Sequence, residues 1–309
     1  MRIAIMGAGG LGGYIGARLA AAGEDVGFVA RGAHLASMRE SGLRVESPSG
    51  DLHLSRVTAT DVPAGIGPVD LVVFTVKLWD TDAAAAALQP LIMAGTRVLT
   101  LQNGISSVEV IARHVPREHV VAGATYITAV ISAPGVIRNP GGSKRIIIDN
   151  ASGDATLAAF AASGARAVGL ETELSDAIGP ILWQKFIRMS ANSAAQSLMR
   201  STIGPILANP EPRAFMRQLV EEGIAVAAAT GNPVGHDFAD QTMTFFEMFP
   251  PTQQSSMAAD LERGRRLELS WLSGHIHALG IEHDISTPAN TAAYRCLSLY
   301  ADGAGNVAK

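Results

Sequence analysis

The chain has few cysteines, few lysines and few aromatic side chains, and each shortage excludes something. One cysteine, Cys296, among 309 residues rules out an internal disulfide and fits a reducing, cytoplasmic setting. No apolar run reaches the roughly 20 residues that a membrane-spanning helix needs. Basic runs are also missing and the net charge is −4, which argues against nucleic acid as the main partner. The first apolar segment, from Ile3, reads as a strand of the fold, not as a signal peptide. What remains is 48% hydrophobic and 17% charged, the balance of a soluble globular protein, and 309 residues suit two domains.

The lysine shortage bears on chemistry. Of 24 basic residues only Lys77, Lys144, Lys185 and Lys309 are lysines. Arginine therefore supplies nearly all positive charge, and it stays charged at any working pH. An amine can lose its proton when desolvated, so a lysine inside an element raises the question of what it does there.

Glycine, by contrast, is abundant, and its placement matters most between Arg2 and Arg31. Ile3-Ala4-Ile5-Met6 has the pattern of a buried strand. Gly7, Gly9, Gly10, Leu11 and Gly12 follow, then a run of helix formers to Ala22 and a second apolar strand, Val26–Ala30. Gly7, Gly9 and Gly12 thus fall in G-x-G-x-x-G within a strand–turn–helix–strand unit, the context that gives the motif meaning. Gly7 permits the tight turn, Gly9 lets backbone N–H groups approach a pyrophosphate, and Gly12 lets the helix pack closely on the sheet. At the end of the second strand an NAD site usually carries Asp or Glu for the ribose 2′-hydroxyl. Here the position holds Arg31, suited to a 2′-phosphate, while Glu24 and Asp25 lie at the strand's wrong end. The expected cofactor is NADPH, the alternative being an arginine that only stacks on adenine.

Beyond Arg31, a helix over His34–Ser41 and a hairpin over Leu43–Val57 are expected. Strands at Asp70–Val76, Thr96–Leu101 and Val120–Ala124 alternate with helices at Thr81–Leu88 and Ser106–His114. Such alternation predicts a parallel α/β sheet with helices on both faces. Ligands of such sheets sit outside the strands' carboxyl ends, where Lys77 and Asn103 join the glycine turn and Arg31. Asn103-Gly104 also reads as a plain turn. Antiparallel strands at 127–131, 135–138 and 144–148, a helix at Asp154–Ala162 and a strand near Ala167–Leu170 complete this half. Strand signals then vanish. Helices are expected at Asp176–Arg200, Pro210–Thr230, His236–Phe249, Ser256–Glu262, Arg266–Leu279 and Pro288–Tyr300. The division is 1–172 and 173–309, with 302–309 frayed.

In the helical half, Lys185 lies among apolar neighbours, and Asn192, seven positions on, is nearly in phase with it. This face suits an amine and an amide presented to a ligand, and burial lowers a lysine's pKa toward the range of a proton donor. A surface lysine covering Trp183 is the plainer alternative. Glu268 reads either as a second active group or as a partner of a helix dipole or a nearby arginine. Ser255-Ser256 reads first as a helix N-cap. His275 and His277, two apart on a helix, face different ways, no cluster has metal-ligand spacing, and no metal is expected.

Taken together, Gly7-x-Gly9-x-x-Gly12 with Arg31, Val76-Lys77-Leu78-Trp79, Gln102-Asn103-Gly104, Trp183-x-Lys185, and Ser255-Ser256-Met257 followed by Leu267-Glu268 resemble the ketopantoate reductase family (2-dehydropantoate 2-reductases). The resemblance implies an N-terminal Rossmann domain and an all-helical C-terminal domain with the active site in the cleft between them. It implies NADPH-dependent reduction of a small 2-oxo acid to a 2-hydroxy acid, in the pathway to pantothenate. By position it implies that Lys185 donates the proton and Glu268 orients the substrate. It further implies Asn103 near the nicotinamide and substrate, Ser256 on polar substrate groups, Arg31 on the 2′-phosphate and Lys77 near the cofactor. Met189 and Ser193 depart from asparagines that the family often places four and eight residues after the lysine, and Asn192 is a candidate substitute through helix phase. The alternatives are a dehydrogenase for a different hydroxy acid and a non-catalytic NADP-responsive protein. A homodimer is left open.

Overall fold

A computed structural model describes residues 1–150 and 153–303. Residues 304–309, most of the stretch expected to fray, lie outside the described residues. Two compact units divide at Ile178/Gly179, six residues later than the loss of strand signals suggests.

The first unit is built on β1 (Arg2–Met6), α1 (Gly10–Ala21), β2 (Asp25–Val29), α2 (Gly32–Ser41), β3 (Leu43–Glu46), β4 (Leu52–Leu54), β5 (Thr58–Thr60), β6 (Leu71–Phe74), α3 (Thr81–Ala86), β7 (Arg97–Thr100), α4 (Ser107–Ile111), β8 (Val120–Thr125), β9 (Val130–Ala133), β10 (Val136–Arg138), β11 (Arg145–Asp149), α5 (Ala155–Arg166) and β12 (Glu171–Ser175). Eight strands form one sheet in the order β12-β11-β8-β7-β6-β1-β2-β5. All neighbours are parallel except β8 and β11.

Strand periodicity explains why the central strands are apolar throughout. Successive side chains point to opposite faces, and both faces are covered. Ile3, Ile5, Leu71, Val73 and Leu99 enter one core with Tyr14 and Ile15 of α1, Leu35 of α2 and Phe160 of α5. Ala4, Met6, Val72, Phe74 and Val98 enter a second core with Ala84 of α3 and Ile111 of α4. Helices therefore lie on both faces, as the alternating pattern predicts. A smaller sheet, β4-β3-β10-β9, packs on the first core through Leu43, Val45 and Ile137.

Two strand expectations need correction. Residues 144–148 do not extend the hairpin of β9 and β10. Gly141 and Gly142, at φ +97° and +90°, swing the chain back to the main sheet, where β11 pairs antiparallel with β8. The final strand is 171–175, not 167–170, because Gly169 at φ +88° makes a turn there, and the strand that follows is the polar edge strand Glu171–Ser175. Its low apolar content hides it from a hydrophobic pattern.

In the second unit, α6 (Ile178–Met199), α7 (Ile203–Ala208), α8 (Pro210–Ala229), α9 (Phe238–Glu247), α10 (Ser256–Glu262), α11 (Ser273–Glu282) and α12 (Pro288–Leu297) follow one another without a strand among the described residues. Helix α8 packs against α7, α9, α11 and α12. The helix expected over Arg266–Leu279 is instead a non-helical segment, a short 3-10 turn at Leu269–Trp271 and then α11. The Leu267 N–H is taken by the Ala301 carbonyl, and Leu272 at φ −110°, ψ −105° breaks helical geometry. Among the described residues no helix is long and apolar enough to cross a membrane.

Candidate active site

In the first unit the site is set by register. Met6 of β1 lies opposite Val29 of β2 and Phe74 of β6, and Phe74 lies opposite Thr100 of β7. Four strands thus end in one row. The loops that leave this row carry Gly7, Arg31, Lys77 and Asn103, so residues far apart in sequence come to one edge of the sheet.

The glycine turn is anchored from both sides. Ala8 N–H donates to the Val29 carbonyl at 2.8 Å and Thr75 N–H donates to the Met6 carbonyl at 2.8 Å. Gly7 has φ +98°, and a Cβ there would lie 2.7 Å from the Val76 nitrogen, so both conformation and space require glycine. A Cβ on Gly12 would lie 2.4 Å from the Gly7 carbonyl oxygen and from Thr75 Oγ1, the close helix–strand packing that the motif predicts. Gly10 is confined by the chain crossing it, since its Cβ would lie within 2.2 Å of the Ala129 oxygen. Gly9 differs: a Cβ there would meet nothing within 4 Å. Glycine at that position serves no packing need. Gly9 is also the N-cap of α1 and offers no side-chain cap, so the first N–H groups of the helix, including those of Gly10 and Leu11, are left for a partner beyond the helix. An open backbone cradle at an uncapped helix N-terminus fits the pyrophosphate of a dinucleotide.

Arg31 is the N-cap residue of α2, with its guanidinium 3.8 Å from the Asp80 carboxylate. Lys77 begins the 3-10 turn Leu78–Asp80, and its ammonium lies 5.4 Å from the centre of the Trp79 ring. Asn103 precedes Gly104, at φ +78°, in the loop after β7. Two residues here make bonds that the sequence reading did not assign, although Gln102 stands in the Gln102-Asn103-Gly104 run. Buried Gln102 donates to the Val76 carbonyl at 2.9 Å and to Thr81 Oγ1 at 2.8 Å, tying the Lys77 loop to the Asn103 loop. His34 of α2 accepts the Gly135 N–H at 3.0 Å, and burial holds its pKa below the usual histidine value, with the nearby Ala8 backbone acting the other way. A motif search keyed to glycine and charge passes over both. A polar residue directly after a buried strand, as Gln102 is, was the available signal.

In the second unit Lys185 is only 9% exposed. Desolvation lowers its pKa from 10.5 to about 8, and the negative charge of Glu268 opposes that fall. This buried amine, the one lysine of the second unit among the described residues, is thus close to its titration range at neutral pH and feels the negative charge of Glu268. Asn192 is also buried. Its carbonyl oxygen accepts from Gln196 Nε2 at 2.7 Å, and Gln196 in turn contacts Gln253 Oε1 at 3.0 Å and accepts the Ser255 N–H at 2.8 Å. This amide network ties the middle of α6 to the start of α10. Ser255, not Ser256, caps α10, accepting from Ala258 N–H, and Ser256 is exposed in the first turn. Met189 is half-buried and Ser193 is buried on α6. Glu268 lies just before the 3-10 turn at Leu269 instead of in a helix. No three His, Cys, Asp or Glu side chains are placed to hold a metal among the described residues.

Comparison with known proteins finds matches along both units. Residues 3–153 match the family model described as Ketopantoate reductase PanE/ApbA, and residues 177–301 match the model of its C-terminal part. A 2-dehydropantoate 2-reductase of Halobacterium salinarum is 33% identical over 290 residues, which cover 93% of this chain and 95% of that protein. One from Caulobacter vibrioides is 31% identical, covering 96% and 98%. The crystal structure of a PanE/ApbA family ketopantoate reductase from Ralstonia eutropha JMP134 has a TM-score of 0.89 at 34% identity, covering 97% of this chain and 98% of that one. With a doubly wound sheet, a fitting glycine cradle and matches along both units, the chain belongs to the ketopantoate reductase family of oxidoreductases.

Proposed function

We propose that the protein reduces a 2-oxo acid, 2-dehydropantoate or a similarly branched one, to the 2-hydroxy acid with NADPH as cofactor, in a cytoplasmic setting. The observation that carries this reading is the buried amine of Lys185 on α6, which feels the negative charge of Glu268. When bound, the cofactor supplies the hydride. The N–H groups at the start of α1, with Gly7, Gly9, Gly10, Leu11 and Gly12 shaping the turn, hold its pyrophosphate. Arg31 pairs with the 2′-phosphate, and Lys77 and Asn103 border the same row of strand ends.

Lys185 is the proton donor. As hydride reaches the carbonyl carbon, negative charge develops on the oxygen, and the ammonium donates its proton there. An interaction that grows with that charge stabilises the transition state more than the ground state. Glu268 raises the amine's pKa against burial and so keeps it protonated, and it orients the substrate. Asn192 and Ser256 supply further polar contacts to substrate.

Optical measurement of NADPH oxidation across a panel of 2-oxo acids that includes 2-dehydropantoate tests the reading. Turnover is expected with at least one member, and Lys185→Ala is expected to lower kcat by at least about a hundredfold with NADPH affinity unchanged. Tight NADPH binding without turnover on any acid would leave only a nucleotide-binding protein, and an equal loss of NADPH affinity in the variant would remove Lys185 from the acid role.

A further inference from the structure

Arg31 follows β2 and Asp80 follows β6, and β1 lies between those two strands in the sheet. Their ion pair, 3.8 Å from Arg31 Nη1 to Asp80 Oδ2, therefore reaches across the carboxyl end of β1, where Gly7 turns the chain into α1. The side chains are 66% and 39% exposed, and the separation is too long for a hydrogen bond. The pair adds little to stability. Its position is the informative feature: the guanidinium suited to a 2′-phosphate already faces a carboxylate.

Asp80 is also held in place. Its N–H donates to the Lys77 carbonyl at 2.8 Å, closing the 3-10 turn. The next residue, Thr81, donates to the Leu78 carbonyl and accepts from buried Gln102. Asp82, the other carboxylate of this stretch, is engaged by His114 at 2.9 Å. Asp80 alone among the carboxylates of this turn thus faces Arg31.

We propose that Asp80 is a cofactor-specificity residue, which holds Arg31 across the end of β1 and opposes the 2′-phosphate, so that the preference for NADPH over NADH is set lower than Arg31 alone would make it. This rests on the reading of Arg31 given above. A 2′-phosphate carries nearly two negative charges and must draw the guanidinium away from Asp80, whereas a ribose hydroxyl is neutral and meets no such opposition. Asp80 therefore selectively weakens binding of the phosphorylated cofactor.

The test measures dissociation constants for NADPH and NADH, by nicotinamide fluorescence, on the full chain and on Asp80→Asn, Arg31→Gln and the double variant, each checked by thermal denaturation. Asp80→Asn is expected to tighten NADPH binding about two- to fivefold, the scale of an exposed charge pair, with NADH unchanged. The gain is expected to shrink in high salt and to vanish when Arg31 is glutamine. Unchanged or weaker NADPH binding in Asp80→Asn, while Arg31→Gln lowers the NADPH:NADH ratio, overturns the role of Asp80 and leaves that of Arg31 standing. An unchanged ratio in Arg31→Gln removes the 2′-phosphate assignment itself, and this proposal with it.

Discussion

At the scale of single residues, Lys185 and Gly9 are opposite cases, one a charged group enclosed by the fold and the other an open backbone position. A folded-state pKa near 8 against 10.5 for an unfolded amine disfavours the buried charge by on the order of 3 kcal/mol. Because the folded value is the lower one, this stability is present above pH 10.5, is lost as pH falls toward 8, and stays lost at neutral pH. Lys185→Met is therefore expected to raise the thermal midpoint at pH 7 while abolishing reduction, and calorimetry beside a turnover assay checks both. In the wild type, kcat for reduction is expected to fall as pH rises through about 8, where the amine loses its proton. Gly9 makes the converse case. Gly9→Ala meets nothing within 4 Å and should leave the thermal midpoint unchanged while NADPH affinity falls at least about tenfold, since a methyl there displaces only ligand. Gly12→Ala, facing backbone at 2.4 Å, should instead lower the midpoint, so the two variants separate binding from packing. Gly7, Gly9 and Gly12 were readable from the chain because a motif of fixed spacing sits in a fixed strand–helix context. The bonds that Gln102 and His34 make were not, since their partners at Val76, Thr81 and Gly135 are brought near only by the tertiary fold.

At the scale of elements, polar side chains replace missing caps. Thr287 precedes α12 without a side-chain cap, and the buried Glu222 of α8 takes that role. Its carboxylate accepts from Ala289 N–H at 2.7 Å, Asn290 N–H at 2.9 Å and Asn290 Nδ2 at 2.8 Å, which ties α8 to α12. Glu222→Ala leaves the Ala289 and Asn290 N–H groups unpaired, while Asn290 Nδ2 keeps the Leu219 carbonyl, and is expected to destabilise the fold by about 2–4 kcal/mol, read from denaturant titration, with NADPH affinity unchanged. Elements with strong periodicity, such as α6, α8 and the central strands, were legible in sequence. The stretch 266–272 was not. Leu269, Leu272 and Ile276 are buried at the i, i+3, i+7 spacing of a helix, yet the start of the segment is fixed by a backbone bond from Leu267 to Ala301, a contact that spacing cannot reveal. Helix α7 was missed for a similar reason, since its first N–H groups are satisfied by the carbonyls of Pro251 and Gln253.

At the scale of the whole molecule, strand–helix alternation gave the doubly wound half, and the loss of strand signals gave the helical half. The exact break did not emerge, because the last strand is a polar edge strand. A cofactor that binds the folded chain alone raises apparent stability by mass action. NADPH is therefore expected to raise the thermal midpoint more than NADH at equal concentration, and equal shifts in a calorimetric scan would count against the assignment of Arg31. The alignment of Met6, Val29, Phe74 and Thr100 carries a practical corollary. A slip of one residue in any of these strands would turn its apolar side chains to the opposite face and scatter the loops that converge there. Saturable dinucleotide uptake is thus a census of correctly threaded molecules, and it can grade a preparation even when no substrate is at hand.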